Sequence, residues 1–186
     1  DGIFGQNTQE AVINFQTAFS LTPDGIVGEK TLNNLKKYIE GFYKKTISKG
    51  DTLWSIAAMT GSSVQSIITA NPDIEPNSLT IGTSVKVPFS FEVIPTDITF
   101  SYYLTELLCN GLLARYPFIT KKEIGKSVMG KSIFSLTAGT GDNQVFINAG
   151  FHSNEWLNIP VVLRFMEEYM KAVAEDKTIS GFSAAE

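Results

Sequence analysis

The sequence predicts a multidomain chain that combines α+β and α/β architecture. Three observations point to it: a duplicated Asp-Gly loop whose copies each lead into a helical pattern, a segment that reads as strand, helix, helix and strand, and a last segment in which strand-like runs lie between two helical patterns. The predicted boundaries are a partial helical domain at 1–41, a βααβ domain at 42–88, a linker at 89–98 and the first part of an α/β domain at 99–186.

The composition is that of a globular protein, with 43% apolar residues in a chain of 186. The net charge of −4 and the isoelectric point near 5.1 argue against a nucleic-acid partner, because such proteins carry a basic surface. No apolar run reaches the roughly 18 residues that a membrane span needs. Cys109 is the single cysteine, which excludes an internal disulfide and a thiolate zinc knuckle and favours a buried structural thiol.

The first block repeats a motif, since DGIFG opens the chain and DGIVG follows 23 positions later. In each copy Asp-Gly predicts a turn, because glycine tolerates the positive φ that other residues resist. Thr8 and Thr31 are placed to start the helices that follow. The loops lack the spaced acidic ligands of an EF-hand, so they do not predict calcium sites. The expected apolar helix faces comprise Ala11, Val12, Phe15, Phe19, Leu32 and Leu35.

The string DGIFG…AVINFQ…DGIVG…TLNNL resembles the three-helix peptidoglycan-binding domain of bacterial cell-wall hydrolases. The usual first helix of that domain precedes the first Asp-Gly loop and has no counterpart here. The chain also begins without an initiator Met or a signal peptide. We therefore expect its N-terminus to be clipped.

The second block predicts a βααβ unit. Short strands are expected at Lys45–Ile47 and Thr83–Val87. Between them lie two helices, the first capped by Asp51 or Thr52 and the second by Ser63. The loop NPDIEPN connects the second helix to the last strand, as its Pro and Asn content indicates.

This block resembles a lysin-motif (LysM) domain through GDTLWSIA, ANP and SLTIGTSVKVP. The resemblance implies a shallow groove that binds chains of N-acetylglucosamine. An alternative places Leu53 and Ile81 in the core and gives Asp51 only a capping role, and Trp54 is either a sugar platform or a core residue. Carried over position by position, the groove comprises Gly50, Asp51, Thr52, Leu53, Asn71, Pro72, Ile74 and Ile81.

The third block follows the connector PFSFEVIPTD. Helical spacing runs from Tyr102 to Tyr116, where Pro117 stops it. Three strand-like runs come next, and the last, Gln144–Ala149, reads as a buried strand of an α/β sheet. A long helix ends the block, with Pro160 tolerated in its first turn. Its expected apolar face comprises Leu157, Val161, Val162, Phe165, Met166, Tyr169 and Val173.

His152, the only histidine, lies just past the end of the last predicted strand, where open α/β sheets place their ligands. Glu155 follows at the spacing H-x-x-E. Average usage gives a glutamate at any chosen offset with odds of about 6%, so this spacing alone favours an ordinary surface histidine. Zinc of the hydrolytic type takes two His and one Glu and keeps one position for water, whose pKa it lowers to about 7.

The string YLTELLCNGLLARYPFI…IGKSVMGKSIFSLTAG…VFINAGFHSNEW resembles the start of the zinc carboxypeptidases. Together with the two wall-binding blocks, it looks like the γ-D-glutamyl-diaminopimelate endopeptidase branch of that family. The resemblance implies zinc as cofactor, His152 and Glu155 as metal ligands, and peptidoglycan glycan and stem peptides as partners. It also implies an extracellular or cell-wall location in a bacterium, with vegetative and spore walls both open.

The same resemblance implies that the chain is an incomplete fragment. The family's second histidine ligand, its substrate-binding arginine and its general-base glutamate lie beyond the last helix, so no catalytic residue is assigned within this chain. We expect the chain alone to be inactive, with the remainder of the domain as a possible second segment. The predicted sheet would leave an unpaired edge and an uncovered apolar helix face.

Two other hypotheses remain open from the sequence. The chain is a non-catalytic protein that binds peptidoglycan, with a vestigial peptidase-like block. Alternatively, the third block is an assembly surface whose sheet edge pairs with a partner.

Overall fold

The structure is a computed structural model that describes residues 3–152 and 154–183. Of these residues, those up to Ile39 form one compact unit and those from Glu40 form a second. Six helices and three two-stranded antiparallel sheets make up the secondary structure of the described part. None of the helices in this part has the length and apolar character to cross a membrane.

The first unit is a helix pair, α1 (Gln6–Ala18) and α2 (Glu29–Ile39). Its packing centre is aromatic: the ring centroids of Phe15 and Phe19 are 4.4 Å apart, and those of Phe19 and Tyr38 are 5.4 Å apart. Phe15 and Phe19 therefore pack as the sequence predicts. Leu32, also predicted on an apolar face, is exposed.

The second Asp-Gly loop is held by the buried side chain of Gln16. Its Nε2 donates to Asp24 Oδ1 at 2.8 Å and to the Ile26 carbonyl at 2.9 Å, and its Oε1 accepts from the Gly25 amide at 2.9 Å. Thr31 lies in the first turn of α2, and its hydroxyl accepts from the same Nε2 at 3.1 Å. A polar residue on α1 thus fixes the loop and the start of α2.

The second unit begins with the predicted βααβ order, which the structure confirms. Strand β1 starts three residues earlier than expected and pairs with β2 in antiparallel register, with Tyr43 opposite Val87. The elements are β1 (Phe42–Thr46), α3 (Leu53–Thr60), α4 (Val64–Ala70) and β2 (Ser84–Pro88).

The caps of this βααβ domain come from hydroxyl side chains. Thr52 and Ser55 form a capping box at the start of α3, and Ser63 caps α4. Between helices and sheet lies an apolar core in which each fully buried aliphatic side chain contributes about 1.5–3 kcal/mol. Its members are Ile47, Leu53, Ile56, Ala57, Ile67, Val85 and Val87.

The third block contains two helices and two hairpins. Helices α5 and α6 form where the sequence predicts them, and Pro160 lies in the first turn of α6. The last hairpin was not predicted, because two-residue strands are too short to show a period. The elements are α5 (Tyr102–Arg115), β3 (Thr120–Lys126), β4 (Ser132–Thr137), α6 (Asn158–Ala174), β5 (Thr178–Ile179) and β6 (Phe182–Ser183).

Cys109 is fully buried on α5, as the sequence predicts. Burial raises the pKa of its thiol to about 12, because the charged thiolate loses its hydration. The thiol is therefore protonated and unreactive at neutral pH.

The prediction of a buried strand at Gln144–Ala149 is wrong. The segment is irregular, and the side chains of Val145 and Phe146 are 87% and 80% exposed. An inner strand needs hydrogen-bonded neighbours on both sides. No strand in the described part of the chain pairs with this segment, so its apolar sequence has no sheet to join.

Helix α6 buries a different side from the one predicted. Leu163, Glu167 and Met170 are buried, whereas Val161 and Phe165 of the predicted apolar face are exposed. The helix is apolar on both sides, and it packs through the side that carries Glu167.

The predicted linker is packed against the rest of the second unit. Val93 and Ile94 are buried, and both of their backbone amides donate to the Glu167 carboxylate, at 2.6 and 2.9 Å. Glu167 itself is only 1% exposed, and its Oε1 lies 3.5 Å from Arg115 Nη1. A buried charge therefore organises the connector.

The Arg115 guanidinium completes this arrangement, and its carbonyl partners flank the β1–β2 sheet. Nη2 donates to the carbonyls of Gly41, just before β1, and Phe89, just after β2, at 2.9 and 3.0 Å. Nη1 donates to the Phe91 carbonyl at 2.9 Å. We call Glu167, Arg115 and the backbone groups they bind the connector clamp.

We predict that Arg115→Ala lowers the free energy of unfolding by about 3–5 kcal/mol, because it removes the nearer of the two cations beside the buried Glu167 charge and leaves only Arg164 Nη1 at 3.9 Å. Urea unfolding followed by circular dichroism measures the loss. Lys126→Ala is the matched control: its pair with Glu123 is half exposed, and such surface pairs contribute at most about 1 kcal/mol. Equal losses in the two variants would show that the clamp adds no stability beyond a surface ion pair.

Candidate functional site

A groove opens beside the start of α3. Its walls are the first turn of α3, one side of α4 and the loop between α4 and β2. Three of the predicted glycan-binding residues, Asp51, Thr52 and Leu53, lie along it. The complete lining is Asp51, Thr52, Leu53, Trp54, Val64, Ile68, Pro76, Asn77 and Leu79.

Trp54 is the prominent aromatic residue of the groove. Its side chain is 75% exposed, so the alternative of core packing is excluded. It follows Leu53, which is a core residue and contributes only to the floor of the groove. An indole combines a broad apolar face with an N–H donor, which suits the mixed apolar and polar surface of a sugar ring.

The other predicted groove residues lie elsewhere. The Asn71 Nδ2 donates to the carbonyls of Ile67 and Lys86, each at 2.7 Å, and its Oδ1 accepts from the Lys86 amide at 2.8 Å. Asn71 therefore fastens α4 to β2. Ile74 packs against the core, whereas Gly50, Pro72 and Ile81 are exposed outside the groove lining. The assignment of the whole set to glycan binding stays a prediction.

The second wall of the groove was missed by the sequence analysis. Val64 and Ile68 pack against the core, and both are half-buried with part of their surface in the groove. Their spacing of four residues places them on one side of α4. The sequence carried one signal of this second wall, because the seven-residue helix α4 has apolar residues on more than one side.

Asp51 supports the loop before α3 and does not cap the helix. Its Oδ2 accepts from Lys45 Nζ at 2.6 Å and from the Ser48 amide at 2.8 Å. The hydrogen bond from Lys45, followed by that from Ser48, holds the pKa of the carboxyl below its usual value. The ionised carboxylate thereby fixes one end of the groove.

His152 and Glu155 lie together at the turn before α6. The His152 Nδ1 is 2.8 Å from Glu155 Oε1, and the two side chains are 63% and 39% exposed. The Glu155 amide donates to the His152 carbonyl at 3.0 Å, which closes the turn. Just upstream, Gly150 has φ +72°, and a Cβ there would lie 2.8 Å from Ile159 Cδ1. The positive φ therefore favours glycine at this position.

The donor chemistry of this pair fits zinc. Zinc binds imidazole nitrogen and carboxylate oxygen at about 2.0–2.2 Å, and here the two atoms are within hydrogen-bond distance of each other on partly exposed side chains. A hydrolytic site takes three protein ligands and a water. Across residues 3–152 and 154–183, no group of three or more His, Cys, Asp or Glu side chains gathers at one point. The pair therefore supplies part of such a ligand set, and its metal-binding role stays a prediction.

An exposed apolar surface borders the pair. Phe151 and Trp156 lie on either side of it in sequence, and the Phe151 ring meets the His152 ring edge-on with centroids 5.0 Å apart. We call the larger exposed set the apolar rim. It comprises Val145, Phe146, Ile147, Phe151, Trp156, Leu157, Val161 and Phe165.

Three family models match successive parts of the chain. The peptidoglycan-binding domain model matches residues 1–35, the LysM domain model matches 46–88, and the zinc carboxypeptidase model matches 105–183. The three resemblances noted in the sequence are thereby confirmed. The groove lies in the second matched region, and the His152–Glu155 pair lies in the third.

Two curated relatives match smaller parts of the chain. A Lysinibacillus sphaericus protein named gamma-D-glutamyl-L-diamino acid endopeptidase 1 is 35% identical over 72 residues, which are 39% of this chain and 18% of that protein. The Bacillus subtilis (strain 168) protein YqgT is 39% identical over 71 residues, 37% of this chain and 19% of that protein. The chain spans less than a fifth of the length of these relatives. No solved structure matches it significantly.

We predict that the Asp51 carboxyl titrates below its ordinary value of about 3.9, measured by carboxyl carbon NMR. Because the folded-state pKa is depressed, the stability that ionised Asp51 contributes is fully present above that ordinary value. It is lost as the pH falls through the depressed pKa. Lys45→Ala should raise the midpoint towards the ordinary value.

The control for this prediction is Lys44→Ala, since Lys44 lies on the opposite face of β1 and is exposed. The midpoint of Asp51 should not move in that variant. An Asp51 midpoint that is equal in the wild-type chain and in Lys45→Ala would contradict the interpretation.

Proposed function

We propose that this chain is the wall-binding and metal-ligand part of a secreted bacterial zinc peptidase that degrades peptidoglycan. The bond cleaved is that between γ-D-glutamate and diaminopimelate in the stem peptides. The first two matched regions hold the protein on glycan in the cell wall, and the third contributes to the peptidase site. The proposal draws support from the order of the three regions and from the name of the Lysinibacillus relative.

The observation that carries the proposal is the 2.8 Å approach of His152 Nδ1 to Glu155 Oε1 within the region that the zinc carboxypeptidase model matches. An exposed imidazole and an exposed carboxylate hold this geometry at a turn closed by their own backbone hydrogen bond. The turn presents both donors on one side. Such a preset pair suits a metal ligand set better than an isolated surface histidine does.

In the proposed enzyme each part of the chain has a distinct task. His152 and Glu155 hold the zinc, which supplies an activated water and polarises the scissile carbonyl. The groove beside Trp54 binds N-acetylglucosamine units, and its apolar wall excludes water from one face of the sugar. Tethering of this kind raises the local concentration of stem peptides, so modules that bind weakly alone act together.

A second candidate function is non-catalytic binding to peptidoglycan. It is favoured by the absence of a third metal-ligating side chain near the pair among the residues that the structure describes. In that case the groove binds glycan and His152 is an ordinary surface residue. Zinc binding separates the two candidates.

We predict that Trp54→Ala weakens binding of chitotetraose by at least about tenfold, because truncation of a central aromatic contact typically costs about 2 kcal/mol. Isothermal titration calorimetry measures the change. Met59→Ala is the matched control, since Met59 is equally exposed on α3 but outside the groove lining, and its affinity should equal that of the wild type. Unchanged binding in Trp54→Ala would remove the groove from the proposal.

We predict that zinc shifts the imidazole NMR signals of His152 and that Glu155→Gln weakens this binding at least tenfold, because the amide is a far poorer zinc ligand than the carboxylate. Asp142→Asn serves as the control, since it removes an exposed carboxylate outside the pair. Zinc binding that is indifferent to Glu155→Gln would favour the non-catalytic candidate, particularly if chitotetraose still binds.

A further inference from the structure

The LysM groove and the His152–Glu155 pair belong to one compact unit, and the parts that carry them are in direct contact. Helix α5 packs against β1, β2 and α4, and helix α6 packs against α4. The Gln65 Nε2 on α4 donates to the Ala174 carbonyl at the end of α6, at 3.2 Å. The connector, residues 89–98, therefore runs along an interface between the βααβ domain and the third block and is not a free tether in solvent.

A close backbone contact reinforces this interface. Gly111 on α5 lies so near the chain before β1 that a Cβ would be 2.5 Å from the Glu40 carbonyl oxygen and 2.8 Å from Val93 Cγ1. Only glycine permits this approach. Helix α5 therefore lies directly against the backbone just before β1 and against the side chain of Val93 in the connector.

The buried carboxylate of Glu167 is the centre of the interface. It accepts from the amides of Val93 and Ile94 in the connector and faces Arg115, whose guanidinium binds the carbonyls on either side of the β1–β2 sheet. Glu167 lies on α6, the helix that begins directly after the metal-ligand turn. Glu167 is therefore the buried link between the helix of the pair and the frame of the groove, beside the Arg164–Glu92 ion pair that also joins α6 to the connector.

We propose that Glu167 is a positioning residue that fixes the LysM groove at one distance and orientation from the His152–Glu155 pair. This inference rests on the proposed function. A glycan strand carries its stem peptides at regular intervals, so a rigid link presents one peptide to the pair for each position of the bound sugar. A flexible link would accept several peptides, and Glu167 thus determines which peptide along the strand is cut.

The test measures the distance directly, with spin labels at Met59→Cys on α3 and Asn154→Cys beside the pair, both exposed positions. Cys109 does not take up label, because it is buried and its thiol is protonated. In the otherwise wild-type chain, pulsed electron resonance should give one narrow distance distribution. Glu167→Gln should broaden it, since a freed chain of residues 89–98 samples end-to-end distances of about 16–19 Å root mean square.

The matched control is Glu123→Gln on β3, an exposed carboxylate whose ion pair with Lys126 lies outside the connector clamp. Its distribution should stay as narrow as that of the wild type. If Glu167→Gln fails to fold, Gly111→Ala disturbs the same interface without changing a charge and should broaden the distribution too. Chitotetraose affinity within about twofold of the wild type would show that the βααβ domain keeps its fold in either variant.

Two results would overturn the inference: a broad distribution in the wild-type chain, or one that stays narrow in both Glu167→Gln and Gly111→Ala. Failure of the proposed function has a different signature. A narrow wild-type distribution in a chain that binds neither chitotetraose nor zinc would leave the rigid link standing. It would overturn the proposed function and, with it, the positioning role.

Discussion

The carboxylate of Glu167 is the constraint on which the second unit depends. A buried charge is tolerated only when hydrogen bonds and an opposite charge replace its hydration. Glu167 meets this condition with two connector amides and Arg115. The Nη2 group of Arg115 in turn donates to the carbonyls next to β1 and β2. The groups that stabilise the Glu167 charge therefore join α6 to the connector and to the β1–β2 sheet beside the groove.

The two parts of this unit, the βααβ domain and the third block, differ in how much of their apolar surface is buried. The βααβ domain has its own core, its own caps and a closed hydrogen-bond register between its strands. The third block leaves one face of α6 and the run at 144–149 uncovered. The connector clamp and α5 hold this block against the βααβ domain. The βααβ domain thus supports the third block.

Local features were predictable from the sequence, and features that depend on distant partners were not. Thr52, Ser63 and Pro117 indicated helix ends, because side-chain capping and the effect of a proline ring act within a few residues. The strand expected at 144–149 failed because pairing needs a neighbour that the apolar pattern cannot show. Glu167 went unnoticed because an acidic residue on a helix ordinarily faces water, and only tertiary contacts reveal its burial.

The same distinction between local features and features that depend on distant partners holds for the candidate site. The spacing of His152 and Glu155 is local, and the structure brings the two side chains within 2.8 Å. The second wall of the groove depends on how α4 lies against α3, and the spacing of Val64 and Ile68 along the chain does not show this. Likewise, the use of all hydrogen-bonding atoms of Asn71 in fastening β2 follows only from the packed fold.

The His152–Glu155 pair and the apolar rim are both exposed features of the third block. The rim residues precede and follow the His152–Glu155 turn in sequence and continue into α6. Covering an apolar surface of this kind is favourable by about 25 cal/mol per Å². In the proposed enzyme, the protein that covers the rim also brings the third zinc ligand to the pair. Burial of the rim would exclude water from around the metal and strengthen its electrostatic effects, so completion of the sheet and activation of the zinc would be one event.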